Sequence, residues 1–204
     1  DISKKPIPVV PAAHYSCGGV LVNEFGQTKI DGLYAIGEVS CTGLMGANRL
    51  ASNSLPEGAL YGLLAVENAI SSNLPDSGNG LQISSFKADS PETNADNATL
   101  NQFWDATRSV MTNLCGIDRN DQRLSTAVHI LNGLETAANE IYQRFYPMRE
   151  TIELRNLTSV AKIIAQSALE RKESRGGHFR SDFPSRDDIN FGKSAVIKNK
   201  SFNY

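Results

Sequence analysis

Cysteine is sparse in this chain. Cys17, Cys41 and Cys115 are widely spaced and odd in number. That excludes a disulfide-dense scaffold and predicts a reducing compartment, the cytoplasm. There is no CxxC pair and no Cys/His cluster, so no metal site is expected. Long hydrophobic runs are missing as well. Nothing approaches the ~20 apolar residues of a membrane-spanning helix, and no signal-peptide core is present, which excludes a membrane partner. Neither sign of charge is in excess. Twenty Lys and Arg stand against 22 Asp and Glu, a net charge of -2, which predicts no general affinity for nucleic acid. The basic residues gather only in the short run Arg171–Arg180. The phosphate-binding signatures GxGxxG and the P-loop are both absent. What remains is an ordinary globular composition, 40% apolar over 204 residues, enough for one large or two small domains with a sizeable core. The chain opens at Asp1 rather than Met and reads as a piece of something longer.

The densest stretch lies between Gly37 and Gly62. A short apolar segment, Leu33-Tyr34-Ala35-Ile36, ends in Gly37-Glu38 and reads as a buried strand. A loop with Gly43, Gly46 and Arg49 follows, then Ser52-Asn53-Ser54. Beyond it Leu55, Ala59, Leu63, Val66 and Ile70 recur at helical spacing, predicting one apolar helix face. Ser54 and Glu57 have the spacing of a capping box, with Pro56 tolerated in the first turn. The free N–H groups at such a helix start suit an anionic group. Upstream, residues 1–13 are Pro-rich and extended. Val20–Val22 and Thr28–Ile30 flank a five-residue loop and predict a hairpin. Glu38, at the end of a strand beside glycine, fits a hydroxyl-binding carboxylate; alone it reads rather as a solvated loop carboxylate. Residues 73–98 are polar and form a linker. Three amphipathic stripes follow. The first carries Leu100, Phe103, Trp104, Val110, Met111 and Leu114; the second Leu124, Val128, Leu131, Leu134, Ala138, Ile141 and Phe145; the third Leu154, Leu157, Ala161, Ile164 and Ala168. Their short connections predict an antiparallel three-helix bundle over residues 99–174, with a tail over 175–204. The fold class is therefore α+β: a hairpin, strand and helix from an α/β domain, followed by helices.

Three segments occur in order: His14-Tyr15-Ser16-Cys17-Gly18-Gly19-Val20, Gly32-Leu33-Tyr34-Ala35-Ile36-Gly37-Glu38, and Gly46-Ala47-Asn48-Arg49-Leu50-Ala51-Ser52-Asn53-Ser54-Leu55. Together they closely resemble the flavoprotein family of L-aspartate oxidase, succinate dehydrogenase and fumarate reductase. Glu153-Leu154-Arg155-Asn156-Leu157 and the run Arg171–Phe179 resemble that family's C-terminal helical domain. The dehydrogenase and reductase members usually carry Met where Cys17 stands and Gly where Ala51 stands. Those positions favour the oxidase branch. The resemblance covers nearly the whole chain and weakens in the linker and after about residue 190.

The resemblance implies FAD as cofactor and a hydride removed from L-aspartate to give iminoaspartate, the first step towards quinolinate and NAD. It implies that His14 and Arg49 bind the dicarboxylate substrate, and that Glu38, Ser54 and Leu55 bind the flavin. Residues 1–13 would be the tail of a capping domain and 14–72 the C-terminal part of the FAD-binding domain. The dinucleotide-binding half and the arginine that moves the proton would lie in an N-terminal part of the same protein, so the chain alone is expected to be inactive. Oxygen or fumarate would accept the electrons, and quinolinate synthase is an expected partner. Two other readings stay open: the flavoprotein subunit of succinate dehydrogenase or fumarate reductase, and a non-catalytic helical docking module. The resemblance gives Arg175 and His178 no chemical role, and a structural one, tying helical part to flavin part, is expected.

Overall fold

A computed structural model describes residues 1–10, 12–72, 94–198 and 201–203; most of the expected linker, residues 73–93, lies outside them. The chain divides into two compact units, Asp1–Gly78 and Asn79–Tyr204. The architecture is mixed, with small two-stranded pairings and a majority of helix among the described residues.

In the first unit, β1 (Val20–Leu21) pairs in parallel with β2 (Ser40–Cys41). The expected hairpin does not form. Asn23 Oδ1 accepts the N–H groups of Phe25 and Gln27, each at 3.0 Å, and Gly26 takes φ +73°. This side-chain turn closes the loop early. Gln27 then bridges Tyr34 in antiparallel fashion, and residues 28–30 fall in the connecting turn. Leu33 and Ile36 are exposed rather than buried in a strand, and a 3-10 turn, Gly37–Val39, leads into β2.

The β1–β2 pairing depends on an absent side chain. A Cβ at Gly19 would stand 2.2 Å from Val39 O, far inside contact distance. Gly19→Ala is therefore expected to push the strands apart at a cost of about 1–3 kcal/mol. In the full-length protein it should lower the melting temperature and loosen the segment that carries His14. An unchanged melting curve would show that this close approach does not hold the pair together.

Helix α1 (Ser54–Ser71) follows a second 3-10 turn, Ala51–Asn53. Its buried face is not the apolar stripe the spacing predicts. Leu55 is 84% exposed and Ile70 79%, and Leu63 and Val66 also face outwards. The helix instead sits down on its small residues. Cβ atoms built on Gly58 and Gly62 would touch Gly37 Cα at 3.7 Å and Ile36 Cδ1 at 3.6 Å, Ala65 is buried, and Tyr34 Oη donates to Asn68 Oδ1 at 2.7 Å. Glycine permits this close approach.

In the second unit, helices α2 (Asn97–Leu114), α3 (Asp121–Arg144) and α4 (Arg149–Glu170) pack on one another. Asp96 caps α2 through the Thr99 N–H at 2.8 Å, and Asn120 caps α3 through the Arg123 N–H at 2.9 Å. The predicted stripes form two clusters. Leu124, Leu131, Ala161 and Ala168 centre one, with Val110, Met111, Leu114, Val128 and Leu134 around it. Leu100, Ala138 and Leu154 centre the other, with Phe103, Trp104, Ile141 and Phe145. On α4 the sequence places Ile164 inside, yet Ile164 is exposed and Ala165 is buried. The seam runs through Thr158, Ala161, Ala165 and Ala168. Thr158 returns its hydroxyl to Leu154 O at 3.1 Å, so a small polar residue fits there without an unpaired group.

Beyond α4 the chain folds back. β3 (Asp118–Arg119), in the α2–α3 connection, pairs in parallel with β4 (Phe179–Arg180). A short helix, α5 (Asp188–Phe191), comes next, then the antiparallel pair β5 (Val196–Lys198) and β6 (Ser201–Asn203).

Candidate functional site

Three of the family-like segments converge in the first unit. The Glu38 carboxylate, which stands exposed in the 3-10 turn, accepts the Ser16 N–H at 2.9 Å, so it anchors the segment that carries His14 and Tyr15. Arg49 lies at the end of the glycine-bearing loop. Its guanidinium stacks 4.5 Å over the Tyr15 ring, and its Nη1 donates to Ser54 Oγ at 2.7 Å. Its Nε is buried with no hydrogen-bond partner. Burial, then the nearby carboxylates Glu57 and Glu38, push the Tyr15 hydroxyl above its ordinary range, so the ring beneath Arg49 stays neutral. His14 and Leu55 are exposed and enter none of these bonds.

The α1 start differs from the capping box that the sequence suggests. Ser54 is already helical, and Asn53, at the cap position, makes no side-chain hydrogen bond to the helix. The Ser54 hydroxyl is taken by Arg49. Glu57 turns inwards, is buried, and accepts the Thr42 hydroxyl. Two loop groups thus capture the two side chains that would have closed the cap, and the Asn53 side chain does not close it in their place. Sequence reasoning missed Tyr15 and Thr42. A ring under a guanidinium follows no spacing rule, and the one signal available was the place of Tyr15 beside His14.

Two families match the sequence: "FAD binding domain" over residues 1–55 and "Fumarate reductase flavoprotein C-term" over residues 105–204. The L-aspartate oxidase of Acinetobacter baylyi is 49% identical over 185 residues, which cover 90% of this chain and 34% of that protein. The L-aspartate oxidase of Yersinia pestis is 44% identical over 190 residues, 91% of this chain and 35% of that protein. The chain is similar to this flavoprotein family in both of its units. It spans about a third of the length of these curated relatives. Among solved structures, a quinol fumarate reductase of E. coli matches with a TM-score of 0.72 at 31% identity, over 98% of this chain and 37% of that one.

The run Arg171–Phe179 is engaged within the second unit. Arg175 and His178 bridge each other across a tight turn. Arg175 clasps Glu173 at 2.7 and 2.9 Å and also reaches Asp188 at 2.7 Å. Arg119 Nη1 meets His178 Nδ1 at 2.9 Å, so Nε2 carries the proton and donates to Arg171 O at 3.1 Å. Burial lowers the His178 pKa, and the charges of Arg119, Arg180 and Arg171 push the same way. A neutral ring with both nitrogens committed is a structural histidine.

Proposed function

We propose that this chain is the C-terminal part of an FAD-dependent L-aspartate oxidase. The whole protein would oxidise L-aspartate to iminoaspartate on the route to quinolinate and NAD. The observation that carries this reading is Arg49: a guanidinium held at two points, with its Nε shielded from water and unpaired. An unpaired buried donor costs free energy, and a carboxylate arriving on the Nε–Nη2 edge recovers it through a charge-assisted fork. His14, exposed and adjacent in the chain to Tyr15, would donate to the second carboxylate.

The residues present fit a flavin. The start of α1 is not capped by the Asn53 side chain, so the N–H groups at Ser54 and Leu55 suit the electron-rich end of the ring system. The exposed Glu38 carboxylate suits the ribityl hydroxyls. When bound, FAD supplies the hydride acceptor; the chain's own residues orient the dicarboxylate and the ring. In this reading residues 1–13 end a capping domain, 14–72 complete the flavin domain, 73–98 link, and 99–174 form an antiparallel bundle, which the short connections between helices support. Oxygen or fumarate would take the electrons, quinolinate synthase would take the product, and the setting would be cytoplasmic. Among the described residues no helix is long and apolar enough to cross a membrane.

The second reading, a succinate dehydrogenase or fumarate reductase flavoprotein, is favoured by the solved structures the chain matches. Cys17 and Ala51 weigh against it. The full-length protein loaded with FAD is expected to reduce its flavin with L-aspartate and to leave succinate untouched. Anaerobic flavin bleaching by each substrate decides between them, and bleaching by succinate alone would replace the oxidase reading with the dehydrogenase one.

A further inference from the structure

We infer that Tyr15 is a positioning residue for substrate binding. Its ring, together with the Ser54 hydroxyl, fixes the plane of the Arg49 guanidinium so that one edge faces a substrate carboxylate. This rests on the reading of Arg49 as the carboxylate clamp and adds what makes it work.

A guanidinium is planar, and a carboxylate can be gripped by two parallel N–H bonds only if the two planes align. A free arginine side chain samples many orientations and loses rotamer freedom on binding. Here two contacts remove that freedom beforehand. The stack on Tyr15, at 4.5 Å from Cζ to the ring centroid, sets the tilt of the plane. The 2.7 Å bond from Nη1 to Ser54 Oγ sets the rotation within it. One of the two Nη1 hydrogens is thereby used. The edge that lacks a partner is Nε–Nη2, since Nε is buried without one among the described residues. The chain at Tyr15 is itself held one residue on, where the Ser16 N–H bonds to Glu38. The platform thus comes from one family-like segment, and the second tether and the unpaired edge from another.

The test uses the full-length protein loaded with FAD and malonate as probe. Malonate is a dicarboxylate with neither an amine-bearing carbon nor a pair of adjacent C–H carbons to oxidise, so its Kd, read by calorimetry, reports binding without turnover. Tyr15→Leu should raise that Kd about tenfold or more, while Tyr15→Phe, which keeps the ring, should stay within about threefold of the parent. Ser54→Ala keeps the N–H and removes only the hydroxyl, and should raise the Kd by about three- to tenfold. Flavin content by absorbance should not change in any of them. Parent-like malonate binding in both Tyr15→Leu and Ser54→Ala overturns the inference, as does a loss of flavin or melting temperature with the malonate Kd intact. If Tyr15→Leu does not fold, Ser54→Ala decides alone. Arg49→Leu separates the two levels. If it too binds malonate normally, the clamp reading itself falls; if it loses malonate while the other two variants keep it, only the role of Tyr15 falls.

Discussion

Replacing Arg49 by leucine in the full-length protein is expected, on the oxidase reading proposed above, to lower kcat/KM for L-aspartate by about two to four orders of magnitude. On the proposed clamp reading the substitution would remove a charge-assisted contact and leave a desolvated carboxylate unpaired, at roughly 2–5 kcal/mol; each ~1.4 kcal/mol is tenfold in rate. Flavin should remain bound, because the groups proposed to hold it are Glu38 and the N–H groups of Ser54 and Leu55. Arg49→Lys should recover only part of the loss. An ammonium keeps the charge but presents no fork and stacks less well on Tyr15. The alternative is that Arg49 only braces the loop to α1, as its bond to Ser54 Oγ at 2.7 Å does in part. A brace alone would lower flavin retention or melting temperature and leave the KM for aspartate unmoved. Steady-state kinetics and flavin absorbance on one preparation separate the two.

Glu173→Gln should be among the most destabilising changes in the second unit. The Glu173 side chain is fully buried, held by Arg171, by Arg175 at 2.7 and 2.9 Å, and by the Asp187 N–H at 2.8 Å. Burial alone would raise its pKa. The hydrogen bonds from Arg175, the Asp187 N–H and Arg171 outweigh it and hold the carboxyl at about 2 against an ordinary 4.5. Removing one partner of a buried ion pair costs about 3–5 kcal/mol, because the other charges stay behind. A fall in melting temperature of about 10 °C or more is expected. The pH dependence has a definite sign. A depressed acid stabilises the fold above its ordinary pKa and loses that stabilisation as pH falls towards the folded value. The gap between parent and variant should therefore be full at pH 5 and above and narrow from about 4.5 down to about 2. A gap that stays constant across that range would mean that the Glu173 charge contributes nothing to folding.

How much of this was legible in the sequence varies by element. The three long helices were, because Leu100, Leu124, Leu131 and Leu154 stand at the spacing that one buried face demands. The inward face of α1 was not. Two glycines and an alanine let it approach the chain at Ile36 and Gly37, and backbone proximity outweighed side-chain apolarity. The hairpin failed because the Asn23 side chain closed its own turn and left Val20 and Leu21 free to pair with Ser40 and Cys41. In the site, family-like segments located Glu38, Arg49 and Ser54 near one another. They did not reveal that Ser54 would serve Arg49 through its hydroxyl rather than cap α1, since that choice is made by a loop folding over the helix end. The end of α4 is the same kind of case. Arg171 follows it in an extended conformation, with no local signal for how the last carbonyls are met.

Those carbonyls are met from a distance. Arg180, 0% exposed, donates Nη1 to Ala168 O and Leu169 O at 3.0 Å each, while its other nitrogens grip Asp182 at 2.8 and 2.7 Å. This has a practical consequence for where the chain can be cut. By sequence pattern the natural place for a stop codon is just past the third stripe. A chain ended there strands two carbonyls at the negative end of α4 and removes the strand that lies on Asp118 and Arg119. It also leaves Arg119 without His178. The helices and the segment through Lys193, whose carbonyl takes Arg171 Nη2 at 2.7 Å, are one unit of inheritance. An expression boundary, a fusion junction or a domain transplant has to carry both or neither.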